Sequence, residues 1–489
     1  MLSKRTIVIT CSLIATVLLI ASNSWAVPSY TRKFGVECSG CHTMWGALNG
    51  AGVTFRLSGY RAFNGKDLTP VEKEVEMSPG VSIPSSFPLS IISGVGFDTR
   101  TQKLDASNGT SASHRGSSLS LEDSSLFLTG PIGPHLSAFI EFPMYETKEG
   151  EFLPVGRSDA NDTGTTGALQ FQTEKPVFEV AKFWWNNLLG DSAPRDSVNL
   201  LGGITHLPLG YASGKVRLSV NQYAIYERRA LDLLRGSKDV ASAGPGNVDL
   251  GEMGLFRLSE PQVILEVNGM IAPGGADVSK KETLWLEYHA GFTNGTQEKA
   301  DNNNQKDLYG RFVMRWFRQS LGLFALYSPD QYGDTIRGVG GFMGTDGSKN
   351  SATRLGIDAT LSLAAIGIPV WLENQYMTNK ESNPTEHGVE FKWQGGFHQL
   401  NWQISKKAIT YCRYDWIKGD SFDDTITAGG ITKANPSETD VVAGVQYLVQ
   451  QNVKLIGEYR HDLFEDKAPN PGTARITSDG YTIRAMIGF

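Results

Sequence analysis

Residues 441–462 read VVAGVQYLVQQNVKLIGEYRHD, and this stretch decides the fold class. Val441, Ala443, Val445, Tyr447 and Val449 occupy alternate positions, the signature of one face of a β-strand. Gln450–Asn452 interrupts the pattern as a turn. Beyond it Val453, Leu455, Gly457 and Tyr459 alternate with Lys454, Ile456, Glu458, Arg460 and Asp462. A soluble sandwich would also alternate. Here the second face carries charge, and the paired segments are long for an ordinary sheet, as in a barrel that turns its apolar side to lipid.

The same texture extends outward from this stretch. Tyr481, Ile483, Ala485, Ile487 and Phe489 share a face, as do Leu284, Leu286, Tyr288 and Ala290. Leu308, Gly310, Phe312, Met314 and Trp316 lie opposite Arg311 and Arg315. Short turns alternate with long polar loops at Glu146–Lys175, Glu227–Glu260, Pro329–Ser351, Lys418–Thr439 and Phe464–Ser478. An amphipathic last strand ending in the aromatic Phe489 is also typical of outer-membrane barrels. The expected fold is mainly β: a transmembrane antiparallel β-barrel of about 16 strands over residues 87–489, even numbers being the rule for single-chain bacterial barrels. The formal net charge of −6 argues against a nucleic-acid partner.

The opposite end of the chain has another character. Lys4 and Arg5 precede an apolar run from Ile7 to Ala21 and then Ser24-Trp25-Ala26, the three zones of a cleaved secretory signal. The run is short for a spanning helix, which needs about 20 apolar residues. Residues 1–26 are therefore expected to be removed on export, which takes the formal charge from −6 to −8. Outer-membrane residence in a Gram-negative bacterium follows from signal and barrel together. Residues 27–77 form a small α-helical unit with a Gly-rich turn at Asn49–Gly52 and a helical stretch from Val53 to Arg61, and residues 78–86 link it to the barrel.

Within that unit residues 38–42 read Cys-Ser-Gly-Cys-His. Two thiols one helical turn apart can add across the two vinyl groups of a haem, and the adjacent imidazole then faces the iron. A zinc ribbon would need a second cysteine pair, and the other cysteines are Cys11, in the signal, and Cys412. A thioredoxin-like pair would want a βαβ surround. The motif occurs once, so the expectation is one covalent haem c, held by Cys38 and Cys41 with His42 as axial ligand. Tyr30, Phe34, Trp45, Phe55 and Tyr60 are the aromatics available to pack around it. Met77 is a candidate sixth ligand, its alternative role being that of a linker residue.

The run Pro28-Ser-Tyr-Thr-Arg-Lys-Phe-Gly-Val-Glu-Cys-Ser-Gly-Cys-His-Thr43, then Leu48-Asn49, Gly52, Phe55-Arg56 and Gly59-Tyr60, resembles the haem domain of the fused monohaem cytochrome–porins. These are outer-membrane proteins known chiefly as iron(II) oxidases of iron-oxidising bacteria. The resemblance implies that the haem domain plugs the barrel lumen from the periplasmic side. It implies that extracellular Fe(II) gives an electron to the haem, and that a periplasmic c-type cytochrome or cupredoxin takes it onward. The activity would be electron transfer of the iron(II):cytochrome c oxidoreductase type, in contact with outer-membrane lipid. Loop carboxylates Asp330, Asp334, Asp420, Asp423 and Asp424 could attract Fe(II), although solvated loop charge is their ordinary role. Outward electron transfer to extracellular metal oxides, a peroxidatic five-coordinate haem, and a porin carrying a separate periplasmic cytochrome module remain open beside this reading.

Overall fold

A computed structural model describes residues 28–45, 47–63, 66–67, 74–78, 81–84, 89–106, 109, 111–132, 135–145, 151–152, 169–170, 179–212, 217–235, 257–273, 283–295, 305–331, 349–384, 388–424, 431–433, 435–466 and 473–488. The signal segment lies outside the described residues.

Sixteen strands close into one antiparallel barrel. In chain order they are β1 (Leu89–Ala106), β2 (Ser111–Pro131), β3 (Leu136–Tyr145), β4 (Val180–Trp185), β5 (Asn199–Thr205), β6 (Gln262–Ile271), β7 (Trp285–Thr293) and β8 (Asp307–Trp316). Then follow β9 (Gln319–Gln331), β10 (Lys349–Ser362), β11 (Val370–Glu381), β12 (Phe391–Ser405), β13 (Ala408–Gly419), β14 (Ser437–Gln450), β15 (Val453–Glu465) and β16 (Thr473–Gly488). Each strand pairs with its chain neighbour, and β16 pairs with β1 to seal the ring. Closure leaves no unpaired edge, which is the condition for backbone to cross lipid as strands. No helix among the described residues is long and apolar enough to cross a membrane.

The alternation read from residues 441–462 holds. On β14 the side chains of Val441, Val445 and Tyr447 face outward, while Asp440, Val442 and Gln446 are buried inside. Leu308, Phe312, Leu323, Leu355, Leu400, Trp402, Tyr481 and Ile483 extend this apolar outer surface around the ring. Glu458 on β15 faces inward as expected, but it is buried and not wet.

The reason is that residues 206–212 and 217–235, between β5 and β6, fold into the lumen. This segment carries two short helices, α4 (Ala224–Glu227) and α5 (Ala230–Arg235). Glu458 accepts the backbone N–H groups of Val220 at 2.8 Å and Asn221 at 3.0 Å. Arg413 on β13 donates to the carbonyls of Asn221 and Gln222 at 2.9 and 3.0 Å. Arg228 forms a two-pronged ion pair with Glu438 on β14, both contacts at 2.6 Å. Leu207, Leu209, Tyr223, Ile225 and Tyr226 from this segment are buried in one apolar cluster with Phe397 and Phe391 of the wall. The sequence placed a surface loop at Glu227–Glu260; the inward-folded part starts about twenty residues earlier and is apolar.

Candidate functional site: the Cys-x-x-Cys-His turn in the barrel mouth

The N-terminal unit begins with a short helix, α1 (Pro28–Phe34), whose first residue suits a helix start because proline lacks only an N–H that would be unbonded there. Cys38–Cys41 forms a single turn, α2, and the backbone N–H of His42 closes it onto the Cys38 carbonyl. The two thiols are therefore one turn apart, with His42 directly after them. His42–Met44 pairs with Ala47–Leu48 as a small hairpin, and α3 (Gly50–Leu57) follows.

Asn49 joins these pieces. Its backbone N–H donates to the Cys41 carbonyl at 2.9 Å. Its side-chain Nδ2 donates to the carbonyls of Ser39 and Gly40 at 3.2 and 3.0 Å. Its Oδ1 accepts the Gly52 N–H at 3.0 Å as the N-cap of α3. Gly52 is required by contact, since a Cβ there would lie 2.1 Å from the Cys41 carbonyl oxygen. Thus α3 starts three residues before the Val53 expected from sequence, and the Asn49–Gly52 turn is its cap.

The end of α3 is equally determined. Gly59 has φ +64°, its N–H bonds the Arg56 carbonyl at 3.1 Å, and the Tyr60 N–H bonds the Phe55 carbonyl at 2.8 Å. That is a Schellman stop, with its usual apolar contact supplied by the Phe55 and Tyr60 rings, 5.4 Å apart. The helix ends at Leu57, short of the expected Arg61.

Four of the five expected aromatics come together. Tyr30 contacts Phe55 edge-on at 5.1 Å and stacks on Tyr60 at 5.3 Å, while Phe34 stacks on Tyr30 at 6.4 Å. Tyr60 also meets two inward wall residues, Phe139 on β3 at 5.5 Å and Trp184 on β4 at 5.3 Å. The fifth, Trp45, lies apart. It sits against Gly488 on β16 and beneath Lys454 of β15.

Contacts to the wall ring the unit. Ser29 donates its backbone N–H to Ser90 Oγ on β1 at 3.1 Å. Val53 and Leu57 pack on Met270 of β6 and Trp285 of β7. Met44 is buried against Leu218, Ile409, Tyr411 and Val442. Ser90, Met270, Trp285, Ile409, Lys454 and Gly488 all lie near the short-turn ends of their strands, so the unit occupies that mouth of the barrel.

The residues fit a covalent haem on their own evidence. Burial, with a smaller push from the Lys454 charge, lowers the His42 imidazole from 6.5 to about 4, so it is neutral at pH 7. Its Nδ1 has no hydrogen-bond partner among the described residues. A neutral imidazole is the state that ligates a metal. Burial, then the neighbouring Cys38, pushes the Cys41 thiol up to about 12, unlike the acidified thiolate of a redox-exchange pair. No disulfide joins Cys38, Cys41 or Cys412.

The remaining candidates are not gathered here. Met77 lies on the strand Glu74–Ser78, which pairs with Val81–Pro84 in a hairpin where a plain linker was expected; its side chain lies outside the described residues. Asp420 and Asp423 are exposed near the long-loop end, Asp334 lies outside the described residues, and so do the side chains of Asp330 and Asp424. Among the described residues no three His, Cys, Asp or Glu side chains come together to hold a metal ion.

No protein-family model matches the chain, and no curated protein does. Among solved structures it is similar to an anion-selective porin from Comamonas acidovorans, with 10% identity over 82% of this chain and 99% of that one, TM-score 0.47. It is similar also to the outer-membrane channel DcaP of Acinetobacter baumannii, with 10% identity over 82% and 97%, TM-score 0.42. A third is OmpF of Salmonella typhi, with 12% identity over 84% and 100%, TM-score 0.40. At these identities the likeness is one of barrel fold alone.

Proposed function

We propose that this chain is an outer-membrane electron conduit of the fused cytochrome–porin kind, with residues 27–77 as a haem-bearing plug, 78–86 as linker and 87–489 as barrel. Cys38 and Cys41 would hold one haem c covalently and His42 would ligate its iron; bound there, haem supplies one-electron redox chemistry. The observation that carries this reading is the placement of the Cys-x-x-Cys-His turn in the barrel mouth, pinned by Asn49 and Gly52 and braced by wall residues on both sides. Extracellular Fe(II) would be the donor, losing one electron to become Fe(III). A periplasmic c-type cytochrome or cupredoxin would be the acceptor at the short-turn mouth.

The protein's own part is positional. Asn49 fixes the turn, Tyr30, Phe55 and Tyr60 exclude water beside it, and burial keeps His42 unprotonated. Met77 as sixth ligand would raise the potential toward that of His/Met cytochromes. Stopped-flow mixing of oxidised full-length protein with Fe(II) tests the reading: the haem bands should shift to the reduced form within the mixing experiment. If they ignore Fe(II) while the reduced protein passes electrons to ferric oxides, transfer runs outward and the proposal fails.

A second reading, a porin with an attached cytochrome module, is favoured by the closed wall of sixteen strands and the fold shared with porins. Planar-bilayer conductance separates the two. Steady open-channel current from the full chain supports the porin; a closed lumen supports the conduit.

A further inference from the structure

Four adjacent strands bring one row of inward side chains together. Leu326 on β9 pairs with Arg354 on β10, Arg354 with Asn379 on β11, and Asn379 with Trp393 on β12. Ser328 and Glu381 lie two positions further along β9 and β11, on the same inward face. All five polar members, Arg354, Asn379, Trp393, Ser328 and Glu381, are at most 3% exposed. The lumen helix α5 packs against β12, on the side where this row faces.

Arg354 makes no hydrogen bond through Nε, Nη1 or Nη2 among the described residues. Its guanidinium carbon lies 5.8 Å from the centre of the Trp393 ring. Among the described residues Asn379 leaves both Nδ2 and Oδ1 without partners, and so do Ser328 Oγ, Trp393 Nε1 and Glu381 Oε1. Other lumen arginines are matched: Arg311 with Asp358 at 2.8 Å and Arg413 with Asp415 at 2.9 Å. An unbonded buried guanidinium is among the costliest groups a fold can carry, so its setting needs a reason.

The row presents both signs. Arg354, Trp393 Nε1, Ser328 and Asn379 Nδ2 donate, whereas Glu381 Oε1 and Asn379 Oδ1 accept. The charges of Glu381, Asp307 and Asp232 act on Arg354, with that of Arg229 opposing them, so a bare anion would enter against three carboxylates. A bare cation would enter against the guanidinium. Arg354 and Glu381 are diagonal neighbours on one sheet face, a relation that sets backbones roughly 7–8 Å apart. A molecule carrying opposite charges on neighbouring atoms suits that interval.

We propose that this row binds a small zwitterion of the α-amino-acid class. Its carboxylate would take the donors of Arg354, Asn379 Nδ2 and Trp393 Nε1. Its ammonium would take Glu381 Oε1 and Asn379 Oδ1. The site is independent of the Cys-x-x-Cys-His turn and of electron transfer.

Isothermal titration of the detergent-solubilised full chain with glycine, acetate and methylamine tests it. Glycine should bind at least tenfold more tightly than either half-analogue, because only glycine satisfies both poles. Arg354→Met and Glu381→Gln should each weaken glycine binding at least tenfold while the barrel keeps its strand circular dichroism. Acetate binding as tightly as glycine would make this a plain anion site and overturn the proposal. Absence of glycine binding to the unaltered chain overturns it as well, whatever the variants do.

Discussion

Lys454, on the fifteenth barrel strand, donates from Nζ to the carbonyl oxygen of Trp45 at 3.1 Å and lies over the same residue's indole ring at 5.2 Å. One wall cation thus holds the hairpin after His42 through both backbone and side chain. Lys454→Met keeps the aliphatic stem and removes the charge. Loss of a hydrogen bond from a charged donor should cost about 1.5–3 kcal/mol locally. Amide exchange over residues 42–48 should accelerate while the barrel strands stay protected; unchanged exchange there would remove Lys454 from the list of anchors.

Covalent attachment is the next expectation. Denatured full-length protein should retain haem stain on a gel, and Cys38→Ala or Cys41→Ala should each weaken retention severely. Extraction of all the haem from unaltered protein by acid–acetone would falsify covalent attachment.

Asn49 and Gly52 offer a finer probe of the same turn. Asn49→Ala removes the cap of α3 and two bonds to the Ser39 and Gly40 carbonyls, a loss of about 1–2 kcal/mol. Gly52→Ala should be worse, since its methyl carbon would have to displace the Cys41 carbonyl. Both variants should lower the yield of haem-loaded protein, Gly52→Ala more strongly; equal yields would mean the turn forms without them.

Acid should act on His42. Its folded-state value of about 4 lies below the ordinary 6.5, so the unfolded segment binds the proton first. Stability of the unit is therefore flat above pH 6.5 and falls as pH drops from 6.5 toward 4, by at most about 3 kcal/mol. The haem-free Cys38→Ala/Cys41→Ala chain should show this as growing protease sensitivity of residues 28–61, and adding His42→Gln should flatten the profile.

On the outer surface Leu323 faces lipid along β9, the residue being 57% exposed. Leu323→Arg should cost about 2–4 kcal/mol if it lies at the bilayer midplane. Folding titrations into lipid vesicles measure it, and a neutral outcome would move the membrane band away from this level.

The wall was legible because a period of two records which face each residue shows, and Val441, Val445 and Tyr447 needed no partner to declare themselves. The Cys38–Cys41 turn with His42 directly after it was legible because all three residues lie inside one five-residue stretch. The lumen segment was not. Leu207, Leu209, Tyr223 and Tyr226 have no repeating period, and their burial depends on wall residues such as Phe397, far along the chain. Trp45 was grouped with Tyr30 and Tyr60 for its type alone; its true neighbour is 409 positions away. Asn49 looked like turn punctuation, although its five hydrogen bonds tie the cysteine turn to α3.

The ring is sealed where β16 meets β1, and the N-terminal unit touches both banks of that seam. Ser29 bonds Ser90 on β1, and Trp45 rests on Gly488 of β16. A hoop clasped at the buckle by its own contents makes the two interdependent: the seam and the N-terminal unit each bury surface that the other supplies, so loosening one uncovers the other.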